Sequence, residues 1–100
     1  MPPIFMTPLE IAFHIAKTAK DKRLALNLSQ NSLSERSGVS LGVLKKFEHT
    51  GKISLESLLK LALVLDSLSD FLELFRPLAP EELRSLDEIL NQKSRKRGRK

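Results

Sequence analysis

The sequence predicts an all-α protein: a compact domain of about five helices, then a short C-terminal helix and a disordered basic tail. The first observation is the stretch from Leu28 to Glu48, LSQNSLSERSGVSLGVLKKFE, where two short helical patterns are separated by a three-residue turn. The second is that apolar residues on both sides of this stretch recur three and four positions apart, behind serine and threonine caps. Two helices joined in this way cross steeply over a small shared core, which is the geometry of a helix-turn-helix.

The first elements are a short arm over residues 1–7 and a helix from Pro8 to about Leu26. Thr7 and Glu10 are spaced as a capping box, and proline is favoured at the first helical position between them. The apolar face of this helix is predicted to contain Leu9, Ile11, Ala12, Ile15, Ala19 and Leu26.

The two helices of the central stretch have their own start and stop signals. Ser29 caps the first helix, and Gly38 stands where a left-handed residue would end it. Ser40 caps a second helix that runs from Leu41 to about His49. The predicted core between the two consists of Leu33, Val39, Leu44 and Phe47.

The second helix of this pair has a basic side. At about 100° per residue, Leu44, Phe47 and Glu48 lie together on the inner side. The outer side contains Gly42, Lys45, Lys46 and His49 and has no carboxylate. Such a face can lie against a polyanion, although exposed lysines on a helix are more often simply solvated.

Gly51 closes the helix that begins at Leu41, and two further helices are predicted after it. Ser54 caps a fourth helix, SLESLLKLALVLD, which is apolar nearly all round. Ser69 is expected to cap a short fifth helix, DFLELF, in which Phe71, Leu72 and Phe75 cover the exposed stripe of the fourth.

A sixth helix should begin at Pro80 and end near residue 92, with Leu83, Leu86 and Leu90 on one stripe. The predicted divisions are therefore the arm (1–7), the helix-turn-helix domain (8–76), the C-terminal helix (77–92) and a disordered tail (93–100). The tail, KSRKRGRK, contains six of the seventeen basic residues and no acidic one.

Charge is unevenly distributed along the chain. The net charge is +5, but residues 1–60 hold nine basic and five acidic residues, whereas residues 61–92 hold two basic and seven acidic ones. This asymmetry favours a polyanion partner for the first part and a different partner for the second.

Composition also limits the function classes. The absence of cysteine excludes a disulfide framework and a thiolate metal site, and no apolar run is long enough to span a membrane, so a cytoplasmic protein is expected. His14 and His49 have no cysteine or carboxylate at ligand or triad spacing, and there is no glycine-rich phosphate loop. We therefore expect neither an enzyme nor a protein that needs a metal or cofactor.

The central motif resembles a known family. LSQxxLSxxSGVSxxxLxxFE is similar to LSQxxLAxxxGVSxxxIxxxE of the lambda repressor, Cro and Xre regulators, over about residues 15 to 66. Ser34 replaces the usual alanine where the two helices touch, and Asn27 replaces a usual glycine. The resemblance also matches Arg23 and Glu48 to the family's arginine–glutamate pair. This pair ties the helix that begins at Pro8 to the helix that begins at Leu41.

The resemblance implies DNA contacts at particular residues. It matches Gln30 to a glutamine that meets phosphate and Ser40 to Lys46 to the segment that reads bases. Lys45 and Lys46 can reach guanine or phosphate, the Ser40 hydroxyl can bond a base, and Leu41 can touch a thymine methyl. Gly42 would allow close approach of the backbone to DNA, with drift at a surface position as the alternative. The residues expected to meet phosphate are Gln30, His49 and Lys52.

A narrower resemblance comes from SGVSLGVLKKFEHTGKISLESLLKLALVLDSL followed by FLELF. It is similar to the HipB-like antitoxins encoded beside HipA-type kinase toxins. The expected function is a repressor that binds a palindromic operator in double-stranded DNA as a homodimer and regulates its own operon. The alternative is an antitoxin module that engages a HipA-like kinase. Dimer contacts are expected from Phe71, Leu74, Phe75, Leu83, Leu86 and Leu90.

Overall fold

The computed structural model describes residues 6–97, which form five α-helices and a 3₁₀ helix. These are α1 (Pro8–Ala25), α2 (Gln30–Ser37), α3 (Leu41–Thr50), α4 (Leu55–Val64), the 3₁₀ helix (Leu68–Glu73) and α5 (Pro80–Arg97). This part of the chain has no strand, so the all-α prediction is confirmed. Most of the predicted arm, residues 1–5, and the end of the tail, residues 98–100, lie outside the described residues.

Hydroxyl side chains start the first four α-helices. Thr7 Oγ1 accepts from the backbone N–H of Glu10 at 3.1 Å, and Glu10 Oε1 accepts from that of Thr7 at 2.8 Å, which completes the predicted capping box. Ser29, Ser40 and Ser54 accept from first-turn N–H groups of α2, α3 and α4 at 3.0, 3.2 and 3.1 Å. Each bond satisfies an N–H that has no partner inside the helix, so these starts are fixed locally.

Left-handed residues separate the first four helices. Asn27, Gly38 and Gly51 have φ values of 59°, 81° and 80°, and for Gly38 this is the left-handed conformation that the sequence predicted. Gly51 has a second constraint, because a Cβ at this position would lie 3.0 Å from the carbonyl carbon of Ala12. The chain can turn here, with α1 close by, only if the residue has no side chain.

The turn between α2 and α3 is held by two serines. Ser34 Oγ donates to the Val39 carbonyl at 2.6 Å, and Ser37 Oγ accepts from the Val39 N–H at 3.1 Å. Ser34 is therefore more than a small residue that fits where the helices touch, since it also bonds the turn.

The core lies where α1, α2, α3 and α4 meet. The four predicted core residues are buried, together with four others, and the full set is Ala16, Leu33, Val39, Leu44, Phe47, Leu61, Ala62 and Leu65. The predicted apolar face of α1 was partly wrong: Leu9, Ile15 and Leu26 are 36–56% exposed, and Ala16 is buried instead. Ala16 belongs to the buried cluster, and the backbone of α1 at Ala12 lies close to Gly51 at the end of α3.

A buried ion pair joins α1 to α3. Arg23 Nε donates to Glu48 Oε2 at 2.8 Å, and a terminal guanidinium N–H donates to Glu48 Oε1 at 3.1 Å. Arg23 also donates to the Leu28 carbonyl at 2.8 Å, and Gln30 Nε2 donates to Glu48 Oε1 at 2.9 Å. Both charged side chains are only 7% exposed. The predicted pair is present, and its bonds to Leu28 and Gln30 connect three helices.

The segment after α4 differs from the prediction. The 3₁₀ helix begins at Leu68, before Ser69, and Ser67 at its start makes no side-chain capping bond. Phe71 is half-buried, but Leu72 is 82% exposed and Phe75 is fully exposed, so neither covers α4. The 3₁₀ helix ends at Glu73, so Phe75 lies beyond it, and the left-handed Phe75 backbone interrupts the α-helical spacing that would have placed Phe71 and Phe75 on one face.

α5 begins as predicted but ends later. Glu82 accepts from the Ala79 N–H at 2.9 Å and from Arg76 at 3.3 Å, and these bonds, the backbone one first, hold the pKa of Glu82 below its usual value. The helix continues to Arg97 and so includes residues 93–97, where disorder was expected. Lysine, arginine and glutamine favour helix, and no glycine or proline interrupts the chain before Gly98.

None of the described helices is both long and apolar enough to cross a membrane.

We expect Glu48→Ala to lower the free energy of unfolding by about 3 kcal/mol, because it leaves the buried Arg23 guanidinium without its anion. Urea denaturation followed by circular dichroism measures the change. The matched control is Glu35→Ala, which removes an exposed carboxylate from α2 and should change stability by no more than about 0.5 kcal/mol. An unchanged melting temperature for Glu48→Ala would contradict a structural role for this pair.

Candidate nucleic-acid interface

α3 presents one side to the core and the other to solvent. Leu44 and Phe47 are each 1% exposed and anchor the inner side. The predicted outer residues Gly42, Lys45, Lys46 and His49 are all exposed. Since two buried side chains three positions apart set the rotation of the helix, the outward direction of the two lysines follows from the packing.

The outer side of α3 has positive charge without a compensating carboxylate. Glu48 is the one acidic residue of α3, and it is directed inward to Arg23. Burial of this carboxylate leaves Lys45 and Lys46 as the charged groups of the face. An anionic partner therefore meets no repulsion from α3 itself.

The start of α3 includes two further predicted contact residues. The Ser40 hydroxyl oxygen accepts from the Val43 N–H at 3.2 Å, so it caps the helix, and its own proton can still be donated outward. Leu41 is half-buried, which leaves part of its side chain available for apolar contact. Capping and base contact are compatible for Ser40 because they use different atoms.

Gly42 lies in open space. Apart from Gly42 itself, its chain neighbours and the backbone of its own helix, no atom lies within 4 Å of the position that its Cβ would occupy, and its backbone is helical. Neither steric crowding nor a left-handed conformation therefore explains the glycine inside the fold. Without a side chain, Gly42 leaves the surface of α3 flat beside the lysines.

Gln30 has a role that the sequence did not reveal. The prediction placed its side chain against phosphate, but its amide nitrogen donates to Glu48. A primary amide has two N–H groups, so one can bond Glu48 while the other is donated to an external acceptor. The ion pair therefore fixes the position of the Gln30 side chain at the start of α2.

Lys52 and Lys46 are brought together at the start of α4. They line an open depression of about 350 Å³, whose other lining residues are Val43, Ile53, Ser54 and Ser57. Thr50 links the two lysines through the backbone. Its hydroxyl donates to the Lys46 carbonyl at 2.7 Å and accepts from the Lys52 N–H at 3.2 Å. The sequence did not indicate Val43 and Ile53 here, because their place beside the two lysines depends on how α3 and the start of α4 meet.

No metal-binding arrangement accompanies this surface: residues 6–97 contain no group of three or more histidine, cysteine, aspartate or glutamate side chains that could hold an ion.

Comparison with known proteins agrees with this geometry. The helix-turn-helix family model matches residues 20–71, which is just over half of the chain and includes α2, α3 and α4. No curated protein and no solved structure matches the chain. The matched segment, the confirmed helix pair and the exposed lysine face of α3 lead to one conclusion: the chain belongs to the helix-turn-helix family of DNA-binding regulators, of the Xre and Cro type.

Proposed function

We propose that the protein is a sequence-specific transcriptional repressor that binds a palindromic operator as a homodimer and regulates its own operon. The observation that carries this proposal is the exposed outer side of α3, with Gly42, Lys45 and Lys46 and no free carboxylate. The α3 helices of two subunits would enter successive major grooves about 34 Å apart. Occupation of the promoter would itself repress transcription, without a ligand.

Within this proposal, α3 reads bases. Lys45 and Lys46 approach guanine O6 and N7 or a nearby phosphate, and the Ser40 proton is donated to a base. Leu41 contacts a thymine methyl group. Gly42 lets the backbone come close to the groove, since nothing within the fold requires a glycine there.

Phosphate contacts position the protein without reading sequence. Lys52 adjoins Lys46 in the depression at the start of α4, and His49 is exposed on the last turn of α3. Gln30 lies at the N-terminus of α2, where the helix dipole favours an anion. These three residues are the phosphate contacts of the proposal.

Exposed apolar side chains support the homodimer. Of the predicted dimer contacts, Leu74, Phe75, Leu83, Leu86 and Leu90 are exposed, and Phe71 is half-buried in the domain. An apolar surface of this extent beyond the core is typical of an interaction site.

A Lys45→Ala, Lys46→Ala double variant should weaken binding to DNA from the protein's own promoter by about 30-fold or more, because each lysine contributes on the order of 1 kcal/mol or more. Footprinting with wild type and variant measures the loss. Lys17→Ala, Lys60→Ala is the matched control, since it removes the same charge from exposed positions on α1 and α4. Equal footprints for wild type and the α3 variant would refute the proposed interface.

Gly42→Ala separates stability from DNA binding. We expect it to stabilise the fold by about 1 kcal/mol, because alanine favours helix and the added Cβ meets nothing. Affinity for the operator should fall if the backbone at this position closely approaches the DNA. Thermal denaturation measures the first effect and a gel-shift titration the second. Unchanged affinity would mean that Gly42 is a neutral surface residue without a role in DNA binding.

Deletion of residues 93–100 should flatten the dependence of log affinity on log salt concentration. The deleted segment contains six basic residues, and each that contacts phosphate contributes about 0.9 to the slope. Filter binding over a salt series gives both slopes. Identical slopes would mean that the tail does not contact DNA.

A second candidate is an antitoxin module that binds a HipA-like kinase toxin. The favouring observation is that residues 61–92, which are net acidic, also present exposed apolar side chains outside the DNA-binding face. Co-purification from native cells discriminates between the candidates. Recovery of a kinase would support the antitoxin role, whereas operator binding without a protein partner would support a plain repressor.

A further inference from the structure

The apolar side of α5 is not covered by the domain. Every residue from Pro80 to Asn91 is exposed. At 100° per residue, the large apolar side chains of this helix fall within about 120° of its circumference. They form the α5 stripe, which consists of Leu83, Leu86, Ile89 and Leu90, each 40–52% exposed. Since packing of an apolar face supplies most of the stability of a helix in a protein, the stripe indicates a partner beyond residues 6–97 of the same chain.

The two ends of α5 carry opposite charge. Residues 80–91 include four acidic residues and one basic residue, whereas residues 93–97 include four basic residues and no acidic one. Both segments belong to one continuous helix of 18 residues, Pro80–Arg97. An antiparallel second α5 would set the acidic end of each helix beside the basic end of the other. A parallel one would set like charges together.

We propose that α5 pairs with α5 of a second copy of the chain, with the two helices antiparallel about a two-fold axis. This inference deepens the homodimer part of the proposed function and rests on it. A two-fold interface requires a surface that is complementary to itself. The distribution of charge along α5, with the apolar stripe between the two charged ends, meets this requirement.

Helical spacing gives the register of the pair. When Leu86 lies opposite Leu90 of the second copy, the two 18-residue helices overlap along almost their whole length. The same register sets Glu82 at the level of position 94 of the other helix, between the lysine positions 93 and 96. Apolar contact at the centre and charge pairing at the ends are therefore satisfied together.

The interface is small, so the dimer should be weak in solution. Four apolar side chains from each subunit bury less than the roughly 800 Å² per partner of a standard interface. Asp87 also lies near its own copy at the two-fold axis, and this contact between like charges opposes pairing. We expect a dissociation constant on the order of 10–100 μM. Two subunits bound to one operator would reach an effective concentration on the order of millimolar, where α5 pairs.

Leu86→Gln tests the α5 stripe. Glutamine favours helix, so α5 should keep its backbone while a central leucine is lost from both sides of the interface. Sedimentation equilibrium of the full chain without DNA should show a wild-type dimer, and the variant should raise its dissociation constant by about 10-fold or more. Glu88→Gln is the matched control, since it places the same side chain on the opposite side of α5 and should leave the dissociation constant nearly unchanged.

Cysteine cross-linking tests the orientation, because the chain has no cysteine of its own. A mixture of Leu86→Cys and Leu90→Cys chains should form a disulfide-linked heterodimer on mild oxidation. Leu83→Cys chains alone should not link, because ten residues of helical rise, about 15 Å, separate the two copies of this position in the antiparallel pair. Efficient linking of Leu83→Cys chains to one another would overturn the antiparallel arrangement.

Salt dependence tests the charge complementarity. Raising the salt concentration from about 50 to 500 mM should weaken the wild-type dimer several-fold, because salt screens the pairing of the helix ends. A monomeric wild type at millimolar concentration, a Leu86→Gln dimer as tight as wild type, or a dimer insensitive to salt would overturn the proposed pairing. Footprinting of the same samples distinguishes the failures: a retained operator footprint leaves the proposed DNA-binding role intact, and its loss in wild type rejects that role separately.

Discussion

The structure depends on the buried contact between Arg23 and Glu48. The two charges are held by two hydrogen bonds of 2.8 and 3.1 Å, and further bonds to the Leu28 carbonyl and the Gln30 amide extend the contact to α2. Removing charge from water is costly, so the pair is tolerable only when every partner is in place. The contact therefore specifies geometry: α1, α2 and α3 can satisfy it in one relative arrangement, and that arrangement turns the lysines of α3 outward.

Features that arise from neighbouring residues could be predicted from the sequence. The caps at Thr7, Ser29, Ser40 and Ser54 and the left-handed ends at Gly38 and Gly51 each depend on a few adjacent positions, and all are present. The outward face of α3 was predictable for the same reason, because one helical period and two buried anchors determine it.

Features that depend on packing between distant segments could not be predicted. Ala16 is buried while Leu9, Ile15 and Leu26 are exposed, and Gly51 lies close to the backbone of Ala12; neither follows from neighbouring residues, because both depend on how α1 packs against the other helices. DFLELF has the composition of an amphipathic helix, yet its first four residues belong to a 3₁₀ helix that ends at Glu73, and Leu72 and Phe75 are exposed to solvent. The hydrogen bond from Gln30 Nε2 to Glu48 and the apolar residues beside Lys46 likewise follow from how the helices meet.

Gly42 has a consequence for how such a surface can change. Because an added Cβ at Gly42 would meet nothing beyond its own helix, this position can accept many residue types without repacking the domain. In the proposed complex the same position faces the bases. A single codon could therefore diversify operator preference while the scaffold stays intact, which makes it the natural site for a saturation library aimed at new target sequences.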